Sequence, residues 1–256
     1  MPKISKKQYP LLLTLVISIL LLGLSSIAIV KAFISNGGNA TDVIGQTDVD
    51  TGLITYTKHG ANNGPKNNGF DSASYIAIDT TNHRLFVSDY ENNRVLVFNL
   101  TVGNTLPDYV ADNVLGQIDF TSGNNSLTQS TFNRPQGLAY DSTGNRLFVA
   151  DSENNRVLVF NLTDGITNGE AAMNVLGASS FTSWGGGITQ SKFYLTGLTY
   201  DGVSGRLFVA DNIGARVLVF DVASITDGEN AVNVLGQIDF TSLGVATTQN
   251  KLNEPN

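Results

Sequence analysis

With 256 residues and no cysteine, the chain has enough material for a large core but no recourse to disulfides or thiolate chemistry. Its formal charge of −7 understates its acidity, because Lys3, Lys6, Lys7 and Lys31 precede every acid and the rest holds 11 basic against 22 acidic residues. Such a surface excludes nucleic acid as a partner, since phosphate binding needs clustered Lys and Arg. The 26 glycines among plentiful Asn, Asp, Ser and Thr point to a turn-rich all-β protein.

In chain order, the segment 1–32 reads as a membrane anchor or signal peptide. Three lysines lie in the first ten residues, and Leu11 to Val30 carries no charge. Twenty helical residues span about 30 Å, the thickness of a bilayer's hydrocarbon core. The basic flank predicts an N-terminus-inside orientation, with everything from about Phe33 outward exported. The length favours a retained anchor, and Val30-Lys31-Ala32 offers a weak cleavage site as the alternative, which would make the protein secreted. Residues 33–42 read as a spacer.

From Val43 onward the sequence repeats. RLFVSDYENNRVLVFNL at Arg84 to Leu100 returns as RLFVADSENNRVLVFNL at Arg146 to Leu162 and RLFVADNIGARVLVFDV at Arg206 to Val222, at intervals of 62 and 60 residues. Each copy holds two apolar runs rich in β-branched and aromatic residues around a polar turn, the pattern of a β-hairpin. The runs are nearly continuous in apolar residues, which predicts a sheet covered on both faces. Two further signatures keep their order: a leading strand, PQGLAYD at Pro135 or TGLTYD at Thr196, and a closing NVLG at Asn113, Asn174 and Asn233, with a degenerate VIGQTD at Val43. Four short antiparallel strands per unit predict β-propeller blades over 43–256, with units counted as 43–112, 113–173, 174–232 and a partial 233–256. LNEPN at Leu252 matches FNRPQ at Phe132, and three units cannot close a ring, so the sequence reads as a fragment; self-association into a ring is the alternative.

Within each turn, Asp89, Asp151 and Asp211 are expected to cap turn amides, the rival reading being a cation-holding ring of carboxylates. Arg94, Arg156 and Arg216 are expected to pair with a carboxylate or a backbone carbonyl. Asn93 and Asn155 suit a left-handed backbone, a role assigned to Gly214 in the third copy. Neither His59 nor His83 recurs at a repeated position, so no zinc or iron site of the usual His-rich kind is expected, and no cofactor is expected either. No catalytic motif stands out. Trp184, in the loop SWGGG, is the one candidate ligand contact, equally read as a plug.

The run RLFVADSENNRVLVF, preceded by PQGLAYD, resembles the NHL repeat, a family of β-propeller blades. The first copy lacks Pro-x-Gly, and the third has Ile213, Gly214 and Ala215 in place of Glu-Asn-Asn. The resemblance implies a propeller that offers loops to protein, carbohydrate or other ligands, and no reaction in itself. An extracellular binding or scaffold module is therefore expected; the alternative is a lactonase-like hydrolase or a lyase with catalytic loops in blades not present here.

Overall fold

The computed structural model describes residues 43–45, 65–246 and 248–256. The apolar run at Leu11 to Val30, the spacer and His59 lie outside the described residues. Among the described residues, no helix is long and apolar enough to cross a membrane.

Among the described residues, twelve strands form three four-stranded antiparallel sheets. The first comprises β1 (Ala73–Asp79), β2 (Arg84–Asp89), β3 (Arg94–Asn99) and β4 (Asn113–Leu115). The second comprises β5 (Pro135–Asp141), β6 (Arg146–Asp151), β7 (Arg156–Asn161) and β8 (Asn174–Leu176). The third comprises β9 (Leu195–Asp201), β10 (Arg206–Asp211), β11 (Arg216–Asp221) and β12 (Asn233–Leu235). Strands pair in sequence order within each sheet. The NVL segment, which heads each repeat when units are counted from Asn113, closes the preceding sheet: Val114 pairs with Leu96, Val175 with Leu158 and Val234 with Leu218.

Alternation along the middle sheet explains its double coat of apolar residues. Leu147, Val149, Leu158 and Phe160 join Phe86, Val95 and Val97 of the first sheet in one core. Phe148, Ala150, Val157 and Val159, one position out of step, join Leu207, Val209, Leu218 and Phe220 of the third sheet in another. Period-two geometry sends successive side chains to opposite faces, so a continuous apolar run is what a sheet between two sheets requires. Each fully buried Phe or Leu contributes about 1.5–3 kcal/mol. Phe86 stacks on Tyr140 across the first junction, and Phe148 on Tyr200 across the second. Three stacked sheets of this build are consistent with propeller blades.

One glycine per unit is dictated by a close approach. Gly116, Gly177 and Gly236 have φ near +87° (+86°, +88° and +87°), and a Cβ on each would strike Phe132, Phe193 and Leu252 respectively. Gly45 in the degenerate copy repeats the arrangement, with φ +80° against Phe70.

Candidate functional site

Two ends of the sheets carry polar constellations: the end of the β2–β3, β6–β7 and β10–β11 turns, and the opposite end of the β1–β2, β5–β6 and β9–β10 turns.

At the first end, each recurring Asp meets the Arg five residues on. Nε of the Arg lies 2.7 Å from Asp89, 2.7 Å from Asp151 and 2.6 Å from Asp211, measured to Oδ2, with both side chains of every pair fully withdrawn from solvent. The other carboxylate oxygen caps the chain entering the sheet, accepting from the backbone N–H of Asp71, Asn133 and Tyr194 at 2.6, 2.6 and 3.0 Å. Asn92 and Asn154 add a carboxamide donor at 2.9 Å, and in the third sheet the Gly214 N–H donates to Asp211 Oδ1. Burial pushes the carboxyls of Asp89 and Asp151 up, against the pull of Arg94 and Arg156. The carboxylates are thus consumed one per sheet in turn caps and ion pairs. Among the described residues, no group of three or more His, Cys, Asp or Glu is arranged to hold a metal ion.

Each Arg also fastens two loops. Arg94 donates to the carbonyls of Phe120, Lys66 and Gly69; Arg156 to those of Phe181, Thr128 and Thr131; Arg216 to those of Phe240, Thr189 and Lys192. The guanidinium fork holds the loop before its sheet and the loop after the closing strand, which makes this Arg a structural staple.

The turn residue in the left-handed region is Asn93 (φ 54°) in the first sheet and Asn155 (φ 51°) in the second. In the third it is Ala215 (φ 47°), and not Gly214 as the sequence suggests. Gly214 stands at the position of Asn92 and Asn154, where its N–H takes over their contact with the Asp, while Ala215 is the residue before the Arg, as Asn93 and Asn155 are. The side chains of Asn93 and Asn155 reach the next sheet: their Oδ1 atoms accept from Arg134 N and Leu195 N at 2.8 and 3.1 Å.

Trp184 sits over the turn of the second sheet. Where the other units place a Gln that donates into the turn, Gln117 to Asn93 O and Gln237 to Ala215 O, this unit has Ala178. The loop after Ser183 replaces it: Gly185 N donates to Asn154 O at 3.0 Å and Trp184 Nε1 to Glu153 O at 3.3 Å. The indole packs over Gly186, meets Tyr194 edge-on at 6.0 Å and keeps 48% exposure. It is both a plug and an open aromatic face.

Beside it lies a groove of about 340 Å³, lined by Tyr90, Gln136, Ser152, Glu153, Tyr194 and Asn212, together with Asn155, Leu195, Thr196 and Ile213. Arg134 lies over the Tyr90 ring at 5.5 Å and pairs with Glu91 at 3.2 Å. Ser152 Oγ is buried in the lining and, among the described residues, is the one buried side-chain polar atom with no hydrogen-bond partner. Tyr90, Ser152 and Tyr194 escape a reading by repeat position, because they occupy turn and loop positions where the copies differ. The signal available is the contrast itself, Tyr90 against Ser152 and Asn212 after the invariant Asp.

At the opposite end, a second Asp–Arg pair repeats the spacing. Arg84 Nη2 lies 2.5 Å from Asp79 Oδ2, and Arg146 Nη2 lies 2.6 Å from Asp141 Oδ2. His83 takes the left-handed turn position here (φ 56°), its Nδ1 2.8 Å from Asn104 Oδ1.

A family model, the NHL repeat, matches residues 132–160, the span from Phe132 through β5 and β6 to Phe160 in β7. The Arabidopsis thaliana protein SUPPRESSOR OF QUENCHING 1, chloroplastic, is 46% identical over 79 residues, 31% of this chain, and the chain spans 7% of that protein's length. Among solved structures, Kuenenia stuttgartiensis hydrazine synthase is 12% identical with a TM-score of 0.44, over 73% of this chain and 40% of that one. Dihydro-heme d1 dehydrogenase NirN is 10% identical with a TM-score of 0.42, over 66% of this chain and 29% of that one. The match falls on the middle of three sheets of one build, and residues 132–160 of this chain carry an NHL repeat.

Proposed function

We propose that the chain is a propeller-type binding module that takes a carbohydrate at the groove beside Trp184. The observation that carries this reading is Ser152 Oγ, a buried hydroxyl without a partner in the wall of an aromatic-edged, polar groove. An unsatisfied buried hydroxyl costs about 1–3 kcal/mol, a cost that a ligand hydroxyl or carbonyl would remove. Tyr90, Tyr194 and the exposed indole of Trp184 supply apolar faces for the C–H surfaces of a sugar ring, and Gln136, Glu153 and Asn212 supply donors and acceptors at its rim. The walls are turns of three sheets anchored by the buried Arg staples, which is how a rigid scaffold presents a loop site.

The proposal extends to location. The charge-free run Leu11 to Val30 behind a lysine flank supports a membrane-anchored module on the extracytoplasmic side. A protein-fusion topology assay on the native host's envelope tests it: a reporter at the C-terminus active only in the cytoplasm overturns the placement.

For the site, the sole Trp serves as reporter. Titration of the full chain with a panel of oligosaccharides is expected to change Trp184 emission for at least one class. Tyr194→Ala and Ser152→Ala are expected to weaken that binding while circular dichroism stays unchanged. Absence of any response across the panel, or binding indifferent to both substitutions, overturns the reading.

A further inference from the structure

At the far end of the strands, the junction between the first and second sheets is closed by two carboxamides. Asn82 Nδ2 donates to Asp79 Oδ2 at 2.9 Å and to the Tyr140 hydroxyl at 3.3 Å. Asn145 Oδ1 accepts from Arg84 Nη2 at 2.7 Å and from the Tyr140 hydroxyl at 3.0 Å. Arg84, Asp79 and Tyr140 are thus each bonded to a carboxamide from within the chain.

The next junction keeps the Asp, the Arg and the Tyr as Asp141, Arg146 and Tyr200, and loses both carboxamides. Gly144 stands where Asn82 stands, and Gly205 where Asn145 stands. Arg146 spends Nε and Nη2 on Asp141, and Nη2 also on the Val222 carbonyl at 2.7 Å. The Tyr200 hydroxyl bonds to Asp141. In place of the missing groups is a groove of about 530 Å³ lined by Asp141, Gly144, Arg146, Tyr200, Gly205 and Val222 among others. A Cβ on Gly205 would meet nothing within 4 Å, so the space is open on that side.

We infer that this groove binds a neutral amide group, which takes the place of the two absent Asn side chains, with its carbonyl on the Arg146 guanidinium and its N–H toward Asp141 and Tyr200. The chain itself displays the complementary chemistry one junction earlier, where a carboxamide oxygen sits on Arg84 and a carboxamide nitrogen on Asp79 and Tyr140. A carboxylate is the poorer fit: Asp141 already neutralises Arg146 at 2.6 Å, and the chain carries a net charge of −7. The acetamido group of an N-acetylated sugar and the carboxamide of a Gln or Asn side chain share this chemistry. The groove lies at the end of the sheets away from Trp184, so it stands or falls separately from the carbohydrate groove.

The test uses the full chain and acetamide as the minimal probe, with acetate as its charged isostere, followed by N-acetylglucosamine against glucose and glutamine against glutamate. Acetamide at millimolar concentration is expected to shift the Arg146 Nε–H and Gly205 N–H resonances, and acetate to bind at least about tenfold more weakly. Gly205→Asn restores the host carboxamide at a backbone position where Asn145 already tolerates φ 48° against +66° for Gly205. That variant is expected to raise the Tm and to weaken acetamide binding at least about tenfold, the worth of one charge-assisted hydrogen bond. A response to N-acetylglucosamine alone assigns the sugar source, and a response to glutamine alone the side-chain source. Equal binding of acetate and acetamide, no binding of any amide, or undiminished binding by a folded Gly205→Asn chain overturns the inference.

Discussion

Asp151 and Arg156 face each other at 2.7 Å with no solvent on either side chain, and the same guanidinium holds the carbonyls of Phe181, Thr128 and Thr131. Removing one partner of a buried pair strands the other charge, which costs about 3–5 kcal/mol. Asp151→Asn is therefore expected to lower unfolding free energy in urea by about that amount, with a larger loss for Arg156→Met, which also frees two loops. The double variant is expected to lose less than the two losses combined. Additive losses would mean that the pair is not coupled.

The carboxylates at the far end of the strands make the fold sensitive to acid. For Asp79 and Asp141 burial raises the pKa, but backbone N–H groups of the turn, the Arg and neighbouring side chains outweigh it and hold both below the ordinary value. Their stabilisation is complete above about pH 4 and is lost as pH falls through the folded-state values. Asp141→Asn is accordingly expected to flatten the fall in Tm below about pH 4. Melting curves across that range decide, and a profile parallel to that of the parent chain would refute the assignment.

Asp239 offers a site-specific check. The N–H groups of Thr241 and Ser242, together with their hydroxyls, bring its pKa down to about 2. Carbon-13 carboxyl titration is expected to find its midpoint well below that of an unstructured Asp, and Thr241→Ala with Ser242→Ala to raise it. A midpoint near the ordinary value in the parent chain would mean that the turn does not form.

The strands were legible because the apolar runs are long, continuous and repeated: a single reading of RLFVADSENNRVLVF places β6, the turn and β7. The Asp–Arg pairs were half legible. Asp89 and Arg94 stand out by recurrence, whereas Asp79 and Arg84 carry the same five-residue spacing but lie across a variable turn that hides it. The left-handed residue in the third turn was misplaced because Gly214 has the freer backbone, yet the hairpin register puts the strain one residue later, on Ala215. The grooves are not legible from any one copy, since they arise where one sheet's turn meets the next.

Ala215 supplies a prediction from that difference. An L-residue without a compensating side-chain contact holds φ 47° at a cost of about 1–2 kcal/mol, and Ala215 lacks the Oδ1 with which Asn93 and Asn155 reach the next segment. Glu254, itself at φ 46°, stands at the position of Arg134, the acceptor's partner in the second sheet. Ala215→Asn is expected to stabilise by about 1 kcal/mol and to slow exchange of the Glu254 N–H. Faster exchange with lower stability would show that the third turn cannot make the contact.

Gly185 tests whether Trp184 is held by its loop or by its own packing. A Cβ at Gly185 would fall on the Asn155 carbonyl oxygen and stand 2.8 Å from Gly177 O, so no relaxation of a flexible side chain can relieve it. The loop must lift, breaking the Gly185 N–H bond to Asn154 O and drawing Trp184 Nε1 off Glu153 O. Gly185→Ala is expected to cost about 1–3 kcal/mol and to shift Trp184 emission to the red as the indole leaves Tyr194 for water. Gly187→Ala, whose added Cβ meets only the aliphatic stem of Lys192, is the control for backbone strain at φ +153°. A red shift for Gly185→Ala alone makes the loop the Trp184 clamp; unchanged emission leaves the indole fixed by its contacts with Tyr194 and Gly186, and the aromatic wall of the groove independent of the loop behind it.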